Sequence, residues 1–112
     1  MIATLLTVLM LHLSALDGVA PLETVATVTV DRATVAYGRA CLIWISETAA
    51  EGFPADHIQC WDISAGDPQT VWEKRVAFGF PGVWTAWVQV MGWDKRGKIM
   101  NYMTPSVDVV TK

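Results

Sequence analysis

The chain is 112 residues long, which limits it to one small domain. Hydrophobic residues make up 53% of it and charged residues 17%, a composition that supports a packed core and excludes a disordered protein. The net charge is −3 and the eight Lys and Arg residues are scattered, so no basic stripe points to nucleic acid as a partner.

The first sixteen residues, MIATLLTVLMLHLSAL, contain no charged side chain, and three interpretations of this segment stay open. A retained assembly helix is indicated because apolar residues recur at alternating four- and three-residue steps, as in a coiled-coil seam. The seam residues are Ile2, Leu6, Leu9, Leu13 and Leu16. A signal peptide would be cleaved after Ala15 or Ala20, but the segment lacks a basic start. A membrane anchor would need roughly 20 apolar residues, more than this run supplies.

A linker is predicted at residues 17–23, DGVAPLE, because Gly18 and Pro21 bracket it. From residue 24 to residue 112 the apolar pattern changes to the twofold period of β-strands. About seven short strands at regular spacing favour an antiparallel immunoglobulin-like β-sandwich over a barrel. The sequence therefore predicts an all-β domain preceded by an apolar, helical segment.

The clearest alternation lies in GVWTAWVQVMGW, residues 82–93. Successive side chains of a strand point to opposite faces, so if Trp84 lies in the core, Trp87 and Met91 point away from it. Trp93 joins them if the alternation continues to the turn, and the same parity sends Trp61 outward on the strand HIQCWDI. Together these four residues predict an exposed apolar sheet face, which is more than an isolated soluble domain usually shows.

Three explanations of that predicted face stay open. The N-terminal segment or a loop can cover it within the same chain. It can be an interface with identical copies or with another protein, since Trp and Met are enriched in such interfaces. It can also stack sugar rings, with Gln59, Gln89 and Asn101 supplying polar groups nearby.

The turn WDKRGKI, which follows this strand, predicts a short hairpin. Gly97 can adopt the left-handed conformation that the turn requires, and Asp94 can accept hydrogen bonds from the turn amides.

The two cysteines, Cys41 and Cys60, fall on what look like core faces of consecutive strands. A disulfide between them would add about 3 kcal/mol by the chain-entropy argument, and buried free thiols are the alternative. No zinc site is predicted, because two cysteines with eighteen residues between them and only His12 and His57 elsewhere do not supply ligands at a recognised spacing.

No catalytic constellation is predicted either. His57 and Cys60 point to opposite faces of an extended strand, and the carboxylates are dispersed along turns. The sequence contains no phosphate-binding glycine loop and no nucleophile elbow. We therefore expect a protein that is not an enzyme and needs no cofactor.

Three runs, YGRACLIWIS, HIQCWD and GVWTAWVQVMGWDKRGKIMNYMTPSVDVV, resemble the small immunoglobulin-like domains, related to PKD-type and fibronectin-like modules, that actinobacteria and their tailed bacteriophages encode. The resemblance covers about residues 35–110 and is mostly structural. The matching positions are Cys60, Trp84, Ala86, Gly97 and Val109. These domains often place a second cysteine about where Trp84 stands, and this chain has Cys41 instead, so no disulfide or binding site is transferred.

What the resemblance implies is a displayed module, on a virion or on an exported surface. We expect a virion accessory or decoration protein of a capsid or tail, whose partners are other virion proteins or identical subunits. The alternative is a secreted or cell-surface bacterial adhesion module with a cleaved signal peptide, bridged cysteines and a cell-surface glycan or protein as its partner. A membrane is a partner only if the N-terminal segment is an anchor.

Overall fold

A computed structural model describes residues 8–47 and 57–112 of the chain. Within these ranges the chain forms nine β-strands and no helix. The strands are β1 (Leu9–Leu13), β2 (Asp17–Gly18), β3 (Leu22–Val30), β4 (Tyr37–Ser46), β5 (Ile58–Ile63), β6 (Val71–Phe78), β7 (Gly82–Trp93), β8 (Ile99–Met103) and β9 (Val107–Thr111).

The strands make two sheets. The smaller sheet has the order β1-β3-β6, and the larger has the order β2-β9-β7-β4-β5, with β8 also paired to β7. Each pairing is antiparallel except that of β2 with β9. Buried residues from both sheets form one hydrophobic cluster, so the sheets pack face to face. The predicted all-β, sandwich-like class is confirmed.

Alternation along the strands builds the core. On β7 the side chains of Trp84, Ala86, Val88 and Val90 are buried, as the sequence pattern predicted. Trp84 is 0% exposed, and its ring meets that of Phe78 on the smaller sheet edge to face, with centroids 5.4 Å apart. The indole Nε1 donates a hydrogen bond to the carbonyl of Phe80 at 3.1 Å, so the one polar atom of this buried ring is satisfied.

The predicted helix in the N-terminal segment is wrong for residues 9–13, which form β1. This strand pairs with Ala26 to Val30 of β3, and Leu9 and Leu13 are each only 7% exposed. The run LMLHL fits a twofold period as well as a helical one, and sheet pairing gives its backbone partners while burying both leucines. Leu16 follows the strand and is exposed, and Ile2 and Leu6 lie outside the described residues.

Candidate functional site

The outward side of the larger sheet presents a band of large apolar side chains. We call this band the open face, and define it by the outward-pointing residues near its centre. These are Tyr37, Arg39, Cys41, Ile43, Ile58, Cys60, Trp87, Gln89, Met91, Trp93, Asn101 and Met103.

Strand register fixes which side chains share the open face. Trp87 lies opposite Ile43, Met91 opposite Arg39, and Trp93 opposite Tyr37 across the β4–β7 pairing. On β7, Trp87, Met91 and Trp93 are each an odd number of positions from the buried Trp84, so their side chains point to the opposite face, away from the core. Met91 is 62% exposed and Trp93 is 38% exposed, while Trp87 is half-buried among its neighbours.

Trp61, which the sequence placed on the same face, lies on the other side of the sheet, and that prediction is wrong. It stands opposite Ala40, which is fully buried, and Trp61 packs against the hydrophobic core. Ile63, two residues further on, is buried as well. The open face therefore receives Ile58, Cys60 and Asp62 from β5 instead.

A disulfide joins Cys41 and Cys60 in the structure. The two residues lie directly opposite each other on the neighbouring strands β4 and β5, with their Cα atoms 4.1 Å apart. Both are half-buried on the open face, so the assignment of these cysteines to the core side is wrong. The core side of β4 is formed by Ala40, Leu42 and Trp44.

Few polar groups interrupt the open face. Arg39 forms an ion pair with Asp62 at 3.2 Å, and both side chains are mostly exposed, so the pair contributes little to stability. Gln89 lies opposite Cys41, and Asn101 opposite Met91. Gln59 pairs with Leu42 and has the opposite parity, so two of the three polar residues named for sugar binding share this face.

A second concentration of polar residues, which the sequence did not reveal, surrounds Arg32 in the connection between β3 and β4. The guanidinium donates five hydrogen bonds of 2.6 to 3.2 Å, all of them to backbone carbonyls. The acceptors are Val35, Ala36, Ser64, Asp67 and Gln69. Because two of these acceptors lie in its own connection and three in the β5–β6 connection, Arg32 ties the two together.

The β7–β8 turn lies at the same end of the sandwich. Asp94 Oδ1 accepts hydrogen bonds from the backbone N–H of Arg96 at 2.8 Å and of Lys98 at 2.9 Å. The bond from Lys98 is the main cause that lowers the pKa of the Asp94 carboxyl below its ordinary value of 3.8. Gly97 has a φ of +80°, the left-handed conformation that the sequence predicted for it.

Of the two residues weighed for catalysis, Cys60 lies on the open face and His57 lies beside two tryptophans of the core. The centroid of the His57 ring is 5.6 Å from that of Trp44 and 5.5 Å from that of Trp84. Cys60 is held in the disulfide. Among residues 8–47 and 57–112, no group of three or more His, Cys, Asp or Glu side chains is arranged to hold a metal ion. The described part of the chain also contains no helix able to span a membrane.

The fold and these two surfaces define a small all-β, sandwich-like protein with an apolar outer sheet face. Comparisons with protein-family models, with curated proteins and with solved structures find no match to this chain.

Proposed function

We propose that the chain is a non-enzymatic accessory or decoration protein of a bacteriophage particle, an immunoglobulin-like module that contacts other subunits through the open face. The observation that carries this proposal is the exposure of large apolar side chains, above all Met91 and Trp93, on the outer side of a sheet whose inner side already fills the core. Surfaces of this kind are typical of protein interfaces. The link to phage particles comes from the sequence resemblance alone.

The strand order supports the immunoglobulin-like part of the proposal. In the constant-type fold the first, second, fourth and fifth strands share one sheet, and the third, sixth and seventh share the other. Here β1, β3 and β6 share the smaller sheet, while β4, β7 and β9 lie in the larger. The chain departs from this order at β5, which follows β4 and lies at the edge of the larger sheet instead of joining the smaller one. A buried tryptophan on the third principal strand is another feature of antibody domains, and Trp44 on β4 occupies that place.

The position of β1 favours a virion component over a secreted module. Cleavage after Ala15 or Ala20 would remove the whole of β1, including Leu9 and Leu13, and uncover the edge of β3 and part of the core. A signal peptide is normally dispensable for the mature fold, whereas this strand supplies core residues.

The disulfide favours the second candidate, an exported bacterial surface or adhesion module. Disulfides form and persist mainly in oxidising compartments, and the bridge between Cys41 and Cys60 fits a chain that has left the cytoplasm. A virion protein meets the same condition only after the particle is released from the cell.

The intact mass of the protein as it accumulates naturally, measured with and without thiol alkylation, separates the two candidates. The virion proposal expects a mass that includes residues 9–13, with free thiols inside cells and a bridge in released particles. A chain that begins at Leu16 or Pro21 and is already bridged would overturn it in favour of export.

A further inference from the structure

A cleft of about 890 Å³ opens at one end of the sandwich, where the β3–β4, β5–β6 and β7–β8 connections meet. This volume lies in the range of sites that hold small molecules. The side chains that give the cleft its chemistry are Arg32, Tyr37, Asp67, Asp94, Lys95 and Arg96.

The walls of the cleft are fixed by hydrogen bonds made within the protein. Arg32 joins the first two connections through its five bonds to backbone carbonyls, and Asp94 closes the third connection on itself. Asp67 Oδ1 accepts a bond from the backbone N–H of Gln69 at 2.9 Å. A ligand would therefore meet a site that is already formed, and binding would cost little ordering of the loops.

The groups that remain available to a ligand have both charges. Lys95 and Arg96 make no side-chain hydrogen bond or ion pair with any described residue, and both are exposed. The carboxylates of Asp67 and Asp94 each use Oδ1 within their own loop, and Oδ2 of each has no hydrogen bond to a described residue. The cleft thus offers two cationic donors beside two carboxylate acceptors.

An aromatic ring completes the cleft. Tyr37 lines it and stacks on Trp93, with ring centroids 5.0 Å apart and an angle of 15° between the planes. Tyr37 is 39% exposed, so part of its ring is open to a ligand while Trp93 holds it in place. A flat apolar ring beside polar groups suits a ligand that has one apolar face and a polar edge.

We propose that this cleft binds a saccharide that carries an anionic group, with its ring on Tyr37, its hydroxyls donating to Asp67 and Asp94, and its carboxylate or phosphate on Lys95 and Arg96. The two aspartates favour this ligand over a nucleotide or a polyphosphate because they accept hydrogen bonds from hydroxyl groups, which a saccharide supplies in greater number. An acidic peptide such as hexaglutamate offers no hydroxyl groups to them. The cleft adjoins the open face and shares Tyr37 with it, but the proposal does not depend on assignment to a virion.

The test is a titration of the purified, oxidised, full-length chain with candidate ligands. Binding is monitored by the NMR chemical shifts of the backbone amides in the three connections. The probes are tri-galacturonate, its neutral methyl ester, glucose 6-phosphate, AMP and hexaglutamate. The proposal expects tri-galacturonate or glucose 6-phosphate to shift the amide resonances of residues 94–98. A comparison of the two affinities identifies carboxylate or phosphate as the preferred group. The methyl ester should bind at least about tenfold more weakly than the acid, because the charge-assisted bonds are lost.

Two variants with matched controls locate the site. K95Q/R96Q should weaken binding by about tenfold or more, whereas K74Q/R75Q, which removes the same charge from exposed positions on β6, should not. Y37A should weaken it, whereas Y102A, which removes an equally exposed ring from β8, should not.

Three results would overturn the proposal. The first is that neither anionic sugar shifts the amides of the cleft. The second is that AMP or hexaglutamate binds as tightly as the better sugar, which would indicate a site for anions in general. The third is that K74Q/R75Q weakens binding as much as K95Q/R96Q, which would indicate attraction by net charge rather than a site.

Discussion

Arg32 uses its whole set of N–H donors on backbone carbonyls, and none of its five bonds goes to a carboxylate. Hydrogen bonds from a charged donor are stronger than neutral ones, and the fixed fork of the guanidinium lets one side chain join several carbonyls. No sequence pattern marks this role, because three of the acceptors lie 32 to 37 residues away. Only the fold brings them to the guanidinium.

Substitution of this arginine is expected to destabilise the protein. Arg32→Gln should lower the free energy of unfolding by about 2 to 3 kcal/mol, because it removes the charged donor of five hydrogen bonds. The loss is no larger than this because the partly exposed carbonyls recover some of their bonds from water. Arg39→Gln, which breaks only an exposed ion pair, should change it by less than about 1 kcal/mol. Urea unfolding of both variants provides the measurement, and equal losses would contradict the role given to Arg32.

Asp94 is a contrasting case, because both partners of its carboxylate lie within four residues and the turn could be predicted from WDKRGKI. Its folded pKa is lowered, mainly by the bond from the Lys98 amide. The folded state therefore binds the proton less readily than the unfolded state, so the contribution of this group is present above its unfolded pKa and is lost as the pH falls through the folded pKa.

We accordingly expect the Asp94 carboxyl to titrate below 3.8 in a carboxyl-carbon NMR experiment. In Asp94→Asn the pH dependence of stability below about pH 4 should be weaker than in the wild type, since the titrating group is gone. A midpoint at or above the ordinary aspartate value, or an unchanged acid profile in the variant, would show that the turn amides do not hold this carboxylate.

The strand β1 shows why an apolar run is ambiguous. LMLHL offers leucines at spacings that suit a helix and also at alternate positions that suit a strand. A helix of about two heptads is marginal without a partner to dock on, whereas pairing with β3 satisfies the backbone of Leu9–Leu13. The preference is set by a partner strand more than ten residues away, which local periodicity does not contain.

Truncation of the buried leucines tests this placement. Leu13→Ala should lower the free energy of unfolding by about 3 kcal/mol, because it leaves a cavity in the core. Met10→Ala, on the exposed side of the same strand, should change it by no more than about 0.5 kcal/mol. Denaturant unfolding measures both, and a small loss in Leu13→Ala would mean that β1 is not packed in the sandwich.

The strands β5 and β7 differ in how well the sequence predicts which of their side chains face the core. On β7 the inward residues Trp84, Ala86, Val88 and Val90 alternate with outward residues that include polar ones, and the inward set was predicted correctly. On β5 the residues Ile58, Cys60, Trp61 and Ile63 place large side chains on both faces. The register of β5 with β4 decides which side chains face the core, since it places Cys60 opposite Cys41 and Trp61 opposite Ala40. The sequence of β5 alone does not contain this register.

Over the whole chain, spacing of strands and turns was enough to predict an all-β, sandwich-like class, because the twofold period is a local property. The division into sheets, the parallel pairing of β2 with β9 and the outward position of the disulfide depend on contacts between distant residues. Of the predicted interaction residues, Trp87, Met91 and Trp93 lie together on the open face and Trp61 lies opposite. Their role in assembly stays a prediction.

The molecule presents two surfaces of different chemistry. The open face is a broad, largely apolar sheet surface, whereas the cleft at the loop end is concave and carries charged side chains of both signs. Tyr37 and Trp93 lie where the two meet, since both belong to the open face and Tyr37 also lines the cleft. An assembled subunit could therefore bury most of the sheet and keep its loops accessible, provided that the partner stops short of this stacked pair.

The claim that the open face makes subunit contacts is tested most directly by incorporation into particles. The measurement is the amount of full-length chain in purified particles for the wild type, for Met91→Glu and for Val71→Glu, which adds the same charge to an exposed position on the smaller sheet. Similar unfolding curves for the three proteins would establish that each is folded. We predict that the wild type and Val71→Glu are incorporated and that Met91→Glu is reduced by about tenfold or more, because a charge would be buried at the interface. Equal incorporation of Met91→Glu, or absence of the wild-type chain from particles, would contradict the proposed function.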